Sequence, residues 1–199
     1  MVSRVPVVVR DAADEDAAAL CRLWEEFLNR PGADQSADPE EVARKAVARV
    51  DEDPAGRILV AEREGDVVGC AMLRMIQVSP FYDDPVLRVS HLQVDPSHAR
   101  KGAGRSLLEA SLSWAEQQGV DGILVTSPVN DRDANRFMAR MGLGQVAGIR
   151  GAAVTALRAR LPHDPSAAAR QVGRQGRNVG QVVAARRSQR RARARRIAI

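Results

Sequence analysis

The stretch LQVDPSHARKGAGRSLL, Leu92–Leu108, decides the fold. It starts as the apolar end of a strand, breaks at Asp95-Pro96, and passes through a basic turn into helical spacing. Glycines at 102 and 104 remove Cβ atoms where backbone has to approach a ligand closely. The first amides of a helix have no intrahelical partners, and with the helix dipole they favour an anion. Arg100, Lys101 and Arg105 add positive charge at the same place. The arrangement is therefore a candidate phosphate or pyrophosphate cradle. It is not a Walker loop, because Gly-x-x-x-x-Gly-Lys-Ser/Thr is absent. It is not a dinucleotide fingerprint either, since Gly-x-Gly-x-x-Gly belongs after the first strand and this turn comes after the fourth.

Working outward, residues 86–94 read as the strand that feeds the turn, and residues 102–118 as the helix that leaves it. Leu107, Leu108, Ser111, Leu112 and Ala115 mark its apolar face. A short apolar strand is expected at 122–126 and a helix at 133–141, ended by Gly142. Residues 145–150 and 154–161 read as a final strand pair, with a helix as the alternative for the second. Upstream, a strand is expected at 5–10 and an amphipathic helix at 14–29, with Ala17, Leu20, Cys21, Trp24, Phe27 and Leu28 on one face. Asp38-Pro39 supplies an N-cap and a first-position proline for a helix to about residue 50. Runs 57–63 and 67–77, joined by Glu64-Gly65-Asp66, form a hairpin. Hairpins in the first half and strand–helix alternation in the second imply an α/β protein. Its sheet is mixed and mostly antiparallel, with helices flanking both faces.

The string Val-Asp-Pro-x-x-x-Arg-Lys-Gly-x-Gly-Arg-x-Leu-Leu at 94–108 resembles motif A of the GNAT family of N-acetyltransferases. Asn130, Ala134, Phe137 and Met141-Gly142-Leu143 resemble the family's motif B, a helix ending in Gly-Phe. The order of elements agrees across residues 5–161, which are taken as one GNAT acetyltransferase domain with the acyl-CoA N-acyltransferase fold. The resemblance implies acetyl-CoA as cofactor and an amine as acceptor: a small molecule, a peptide N-terminus or a lysine. It implies that the fourth strand splays from the fifth at a bulge near Leu92–Val94, where Leu92, Gln93 and Val94 pair with the pantetheine arm. It further implies that backbone amides of Arg100, Lys101, Gly102, Ala103, Gly104, Arg105 and Ser106 hold the pyrophosphate. Asn130 is a polar contact to the pantetheine, or else a helix cap or turn residue.

The family pattern is broken in three places. The first Arg/Gln of motif A falls on Ala99, with Arg100 one residue later. The tyrosine that protonates the departing thiolate in many members falls on Met138, which has no proton to give. The frequent glutamate of the fourth strand falls on Arg88, which is no base at neutral pH. The catalytic candidates left are His91 and Tyr82. Histidine titrates in the right range for base work. Strand alternation, however, sets His91 on the face opposite Arg88, Ser90 and Leu92, where a packing role is the plainer reading, unless a bulge in this strand reverses its direction. Tyr82, the single tyrosine, lies in the loop before the fourth strand and serves as lid, substitute acid or plain loop aromatic.

The bulk composition excludes other classes. Two cysteines, Cys21 and Cys70, lie in apolar stretches outside any metal spacing, and three histidines are scattered, so no metal site is expected. The N-terminus is too soon charged for a signal peptide, and no apolar run reaches the ~18 residues of a membrane span. A cytoplasmic protein is expected. The net charge of +5 hides two opposite parts. Ten arginines and no acid lie in residues 170–199, which leaves residues 1–169 at −5. Residues 162–199 are read as an Arg-rich tail, flexible or partly helical, suited to the phosphates of nucleic acid or the ribosome more than to lipid. The tail gives an alternative function: a catalytically weak acetyl-CoA-binding module that acts through it.

Overall fold

Residues Gly56–Arg63 (β2) and Asp66–Gln77 (β3) are inner strands of the sheet, and their sequence shows why. Ile58, Leu59, Val60 and Ala61 are all buried, as are Cys70, Ala71 and Leu73. A strand covered on both faces reads as a continuous apolar run. The structure, a computed structural model, describes residues 5–25, 38–79, 81, 84–128 and 131–161. The chain divides into two compact units, Met1–Gly144 and Gln145–Ile199.

The first unit is a five-stranded sheet in the order β1-β2-β3-β4-β5. Val8–Asp11 (β1), β2, β3 and Pro85–Val94 (β4) pair antiparallel, and Ile123–Val125 (β5) pairs parallel to β4. One face carries Ala103–Gln117 (α3), whose Leu107, Trp114 and Ala115 pack on Leu59, Leu73, Leu87 and Val89. The other face carries Ala17–Leu23 (α1) and Pro39–Asp51 (α2), whose Leu20, Val47 and Val50 pack on Ile58, Val60 and Cys70. Burying each such aliphatic side chain contributes about 1.5–3 kcal/mol. Arg132–Arg140 (α4) comes after β5. The expected mixed sheet with helices on both faces is borne out.

Several expectations are corrected. The final strand pair does not form: residues 145–153 hold no regular element, and Val154–Arg160 is a helix, α5. Gly148 interrupts the first run, with Gly144 and Gly151 on either side of it. Residues 156–160 of the helix read Ala-Leu-Arg-Ala-Arg, all of good helix propensity. Leu112 is not on the buried face of α3 but is 46% exposed, and Trp114 takes a place inside. The first helix opens with a 3-10 turn, Asp14–Asp16, before α1. Phe27 and Leu28 lie outside the described residues. Cys21 and Cys70 are free, and burial pushes the Cys70 thiol up.

Asp16 fixes the entry to α1. Its carboxylate, 4% exposed, accepts hydrogen bonds from Arg10 Nη1 at 2.7 Å, Arg10 Nη2 at 2.9 Å and the Ala13 amide at 2.8 Å. Burial alone would raise its pKa, but those bonds outweigh it and hold the carboxyl below its ordinary value. Its stabilising contribution is therefore full above the unfolded value, about 3.9, and is lost as pH falls through the lower folded value. Asp16→Ala is expected to cost about 1.5–3 kcal/mol at pH 7, read from urea midpoints. The loss should shrink below pH 4. A cost that stays constant down to pH 2 would contradict the assignment.

Candidate functional site

The site begins with one extra residue. Cys70 pairs with Gln93 and Met72 with Ser90, so β4 spends two residues, His91 and Leu92, opposite Ala71 alone. His91 takes a left-handed backbone, φ +54°, and this is the bulge. The strain is held from α1: Trp24 Nε1 donates to the His91 carbonyl at 3.0 Å, and its ring meets the imidazole edge-on with centroids 5.7 Å apart. The bulge also resets the alternation. Leu87 and Val89 pack towards α3, and after the bulge Leu92 and Val94 return to that same face. His91 lies against Trp24 on the α1 side, with Nδ1 3.1 Å from Ser90 Oγ. The expectation that His91 faces away from Ser90 is thus corrected, because the bulge cancels one step of the strand's period.

Beyond the bulge the sheet opens. The β4–β5 ladder ends at Val89–Val125, with a last bond from the Thr126 amide to the Val89 carbonyl at 2.9 Å. Beyond that pair Leu92, Gln93 and Val94 have no partner on β5, and with Ser127 and Pro128 they line a cleft of ≈ 730 Å³. Its end wall is the turn into α3. Gly102 caps that helix with φ +102°, a conformation that rewards the absence of Cβ, and no side chain caps it. Ser106 is the first residue whose amide bonds back, to the Gly102 carbonyl at 3.0 Å. The amides of Ala103, Gly104 and Arg105 are the helix's open donors. At Gly104 an added Cβ would lie 3.5 Å from Phe137 and 3.6 Å from Val94, so backbone and cleft are in near contact there.

The third wall is α4, capped by Asp131, whose side chain accepts from the Ala134 amide at 2.9 Å. It brings Phe137, Met138, Arg136 and Arg140 to the cleft. Arg100 bridges to this wall through Asp133 at 3.6 Å, and Arg136 reaches the same carboxylate at 3.8 Å. Arg105 is paired along its own helix with Glu109 at 2.8 Å. A smaller recess of ≈ 280 Å³ lies between α2, β2 and α3, but its Asp11 and Asp53 are already paired with Arg57 and Arg74. Among the described residues no group of side chains could hold a metal.

The Acetyltransferase (GNAT) family model matches residues 18–143, more than half of the chain. The chain belongs to the GNAT acetyltransferase family. It is 32% identical over 98 residues to the probable N-acetyltransferase 14 of Danio rerio, covering 48% of this chain and 33% of that protein. It is 36% identical over 69 residues to N-acetyltransferase family 8 member 3 of Rattus norvegicus, 34% and 30% of the two chains. The matches thus span about a third of each curated relative. Among solved structures, an aminoglycoside N-acetyltransferase in complex with CoA superposes with TM-score 0.61 at 13% identity, covering 77% of this chain and 98% of that one. A transcriptional regulator from Bacillus halodurans C-125 does so with TM-score 0.63 at 17% identity, covering 74% and 99%. At these identities the likeness is one of fold.

In this GNAT chain, Leu92, Gln93, Val94, Arg100, Gly102, Ala103, Gly104 and Arg105 share the one cleft. Lys101 and Ser106 do not line it. The Lys101 carbonyl instead accepts from Arg63 Nη2 at 3.0 Å, which ties the turn to β2. His91 is outside the cleft lining, on the α1 side. Tyr82 and Asn130 lie outside the described residues. Trp24 and the α4 arginines were missed from the sequence. The i, i+4 spacing of Arg136 and Arg140 was a readable signal; the bond from Trp24 was not.

Proposed function

We propose that the chain transfers an acetyl group from acetyl-CoA to an amine, using the cleft between β4, α3 and α4. The observation that carries this is the coincidence of an opened strand edge with an uncapped helix start in one cleft. The cleft's size lies within the roughly 300–1,000 Å³ of ordinary ligand sites. The open amides of Ala103, Gly104 and Arg105 suit a pyrophosphate, with Arg100 able to exchange Asp133 for it. The free edge at Leu92–Val94 suits the amide-bearing pantetheine. When bound, acetyl-CoA supplies a thioester carbonyl carbon open to attack by an amine. The chain's part is to align that carbon and to take up a proton. His91, held by Trp24 and next to Ser90, is the base this chain offers on the α1 side of the bulge. Alignment supplies most of the rest.

Met138 favours a second reading. It lines the cleft where the family's tyrosine is expected, and a thioether cannot protonate a leaving thiolate. On that reading the chain binds acetyl-CoA, transfers poorly and acts through its basic tail. Thiol release from acetyl-CoA against a panel of amines separates the two. Amine-dependent release supports transfer; tight binding with no release by any amine supports the binding module. Met138→Tyr is expected to raise turnover several-fold at unchanged acetyl-CoA affinity. Met138→Leu is expected to leave turnover nearly unchanged, and a large fall with Leu at unchanged affinity would show that the thioether itself has a role.

A further inference from the structure

Among the described residues, Arg88 is a cation with no ion-pair partner. It sits on β4, in register with Arg74 of β3 and Leu124 of β5, three residues before the bulge. Leu87 and Val89 on either side face α3, so Arg88 belongs to the α1/α2 face, with Ser90 and His91. Its Nε is buried without a hydrogen-bond partner, and no ion pair involves it among the described residues. Its cross-strand neighbour shows the contrast: Arg74 is bound by Asp53 at 2.5 Å. Two like charges opposite each other on a sheet destabilise it, and a half-buried charge without a partner costs more. Among the described residues, one of the two is neutralised and the other is not.

We propose that Arg88 anchors an anionic group on the acceptor, which makes the acceptor an amine bearing a carboxylate or a phosphate-like group. This rests on the acetyl-transfer reading, since it assigns the acceptor side of that same site. A guanidinium presents a planar fork that binds either anion with two bonds. Strand rise places the bulge within ~10 Å of Arg88. The anion and the reacting nitrogen are therefore separated by a short spacer, as in a small ω-amino acid. The uncharged neighbours Met72, Ser90 and Leu124 offer no carboxylate to compete for the guanidinium, so an anion paired with Arg88 would be strongly preferred over a neutral group.

The test is thermal unfolding of the full chain, wild type and Arg88→Met, with and without CoA at matched ionic strength. The probes are 4-aminobutyrate, 3-aminopropylphosphonate and neutral 4-aminobutanamide. At tenfold excess over half-saturation, one acid or both should raise the wild-type midpoint by about 3–5 °C. The amide should not, and Arg88→Met should respond to none. Whichever acid acts identifies the anion. Without probes, Arg88→Met should melt higher than wild type, because it removes an uncompensated charge. Equal responses of the two proteins, a wild type that responds to neither acid, or a lower midpoint for Arg88→Met would overturn the proposal. An acid response in a chain that fails to bind acetyl-CoA would leave the anion site standing and refute only the transfer reading.

Discussion

Gly104→Glu is expected to weaken acetyl-CoA binding at least tenfold, about 1.4 kcal/mol, by titration calorimetry. Position 104 is the second residue of α3, among the open amides. A Cβ there meets Phe137 at 3.5 Å and Val94 at 3.6 Å, ordinary contact distances. The helix start therefore tolerates a side chain sterically, and the atoms beyond Cβ decide the outcome. A glutamate carries its charge into the space where the pyrophosphate is proposed to sit. At 4–5 Å and an effective dielectric of ~20, like charges repel by about 3–4 kcal/mol before salt screening. Gly104→Ala separates volume from charge, since it adds the Cβ alone and should lose much less affinity. Equal affinity of Gly104→Glu and wild type would place the pyrophosphate elsewhere and remove the basis of the reading.

The same residues show what the sequence can and cannot carry. The strand–turn–helix of 92–108 was legible because each signal is local: a proline that stops a strand, glycines at a helix start, apolar spacing behind them. The hairpin of β2 and β3 and the cap at Asp38 were legible for the same reason. His91 was placed on the wrong side because strand alternation assumes an even period, and the residue that breaks the period is the extra one in the bulge. The resemblance implied a bulge near Leu92–Val94, but nothing in Ser90-His91-Leu92 marks which residue is the extra one; it is set by pairing with Ala71 and by Trp24, 67 positions away. The strand pair expected at 145–150 and 154–161 failed where short apolar runs carry no period to separate strand from helix. The charge imbalance at Arg88 was invisible for another reason. Its meaning depends on Asp53, which reaches Arg74 and not Arg88.

The remaining prediction concerns residues 162–199, proposed as a tail distinct from the acetyltransferase domain of residues 5–161. Ten arginines lie in the last thirty residues with no acid, against −5 for residues 1–169. Attraction of such a segment to nucleic acid comes mostly from release of condensed counterions, so it must fall steeply with salt. With five or six arginines engaged, log K against log salt should slope at about −4 to −6. A fourfold rise in salt then lowers affinity by more than about a hundredfold. Sequence preference should be slight, because no aromatic residue lies among these arginines to stack on bases and phosphate contacts carry no sequence information. Fluorescence anisotropy of a labelled RNA, with full chain and a chain ending at Pro162, measures both effects. The shortened chain, net negative, should not bind RNA at physiological salt and should still bind acetyl-CoA. If it binds RNA as well as the full chain does, the acetyltransferase domain and not the tail holds the nucleic acid. If neither binds RNA while the full chain binds anionic vesicles, the phosphates the tail meets are those of lipid.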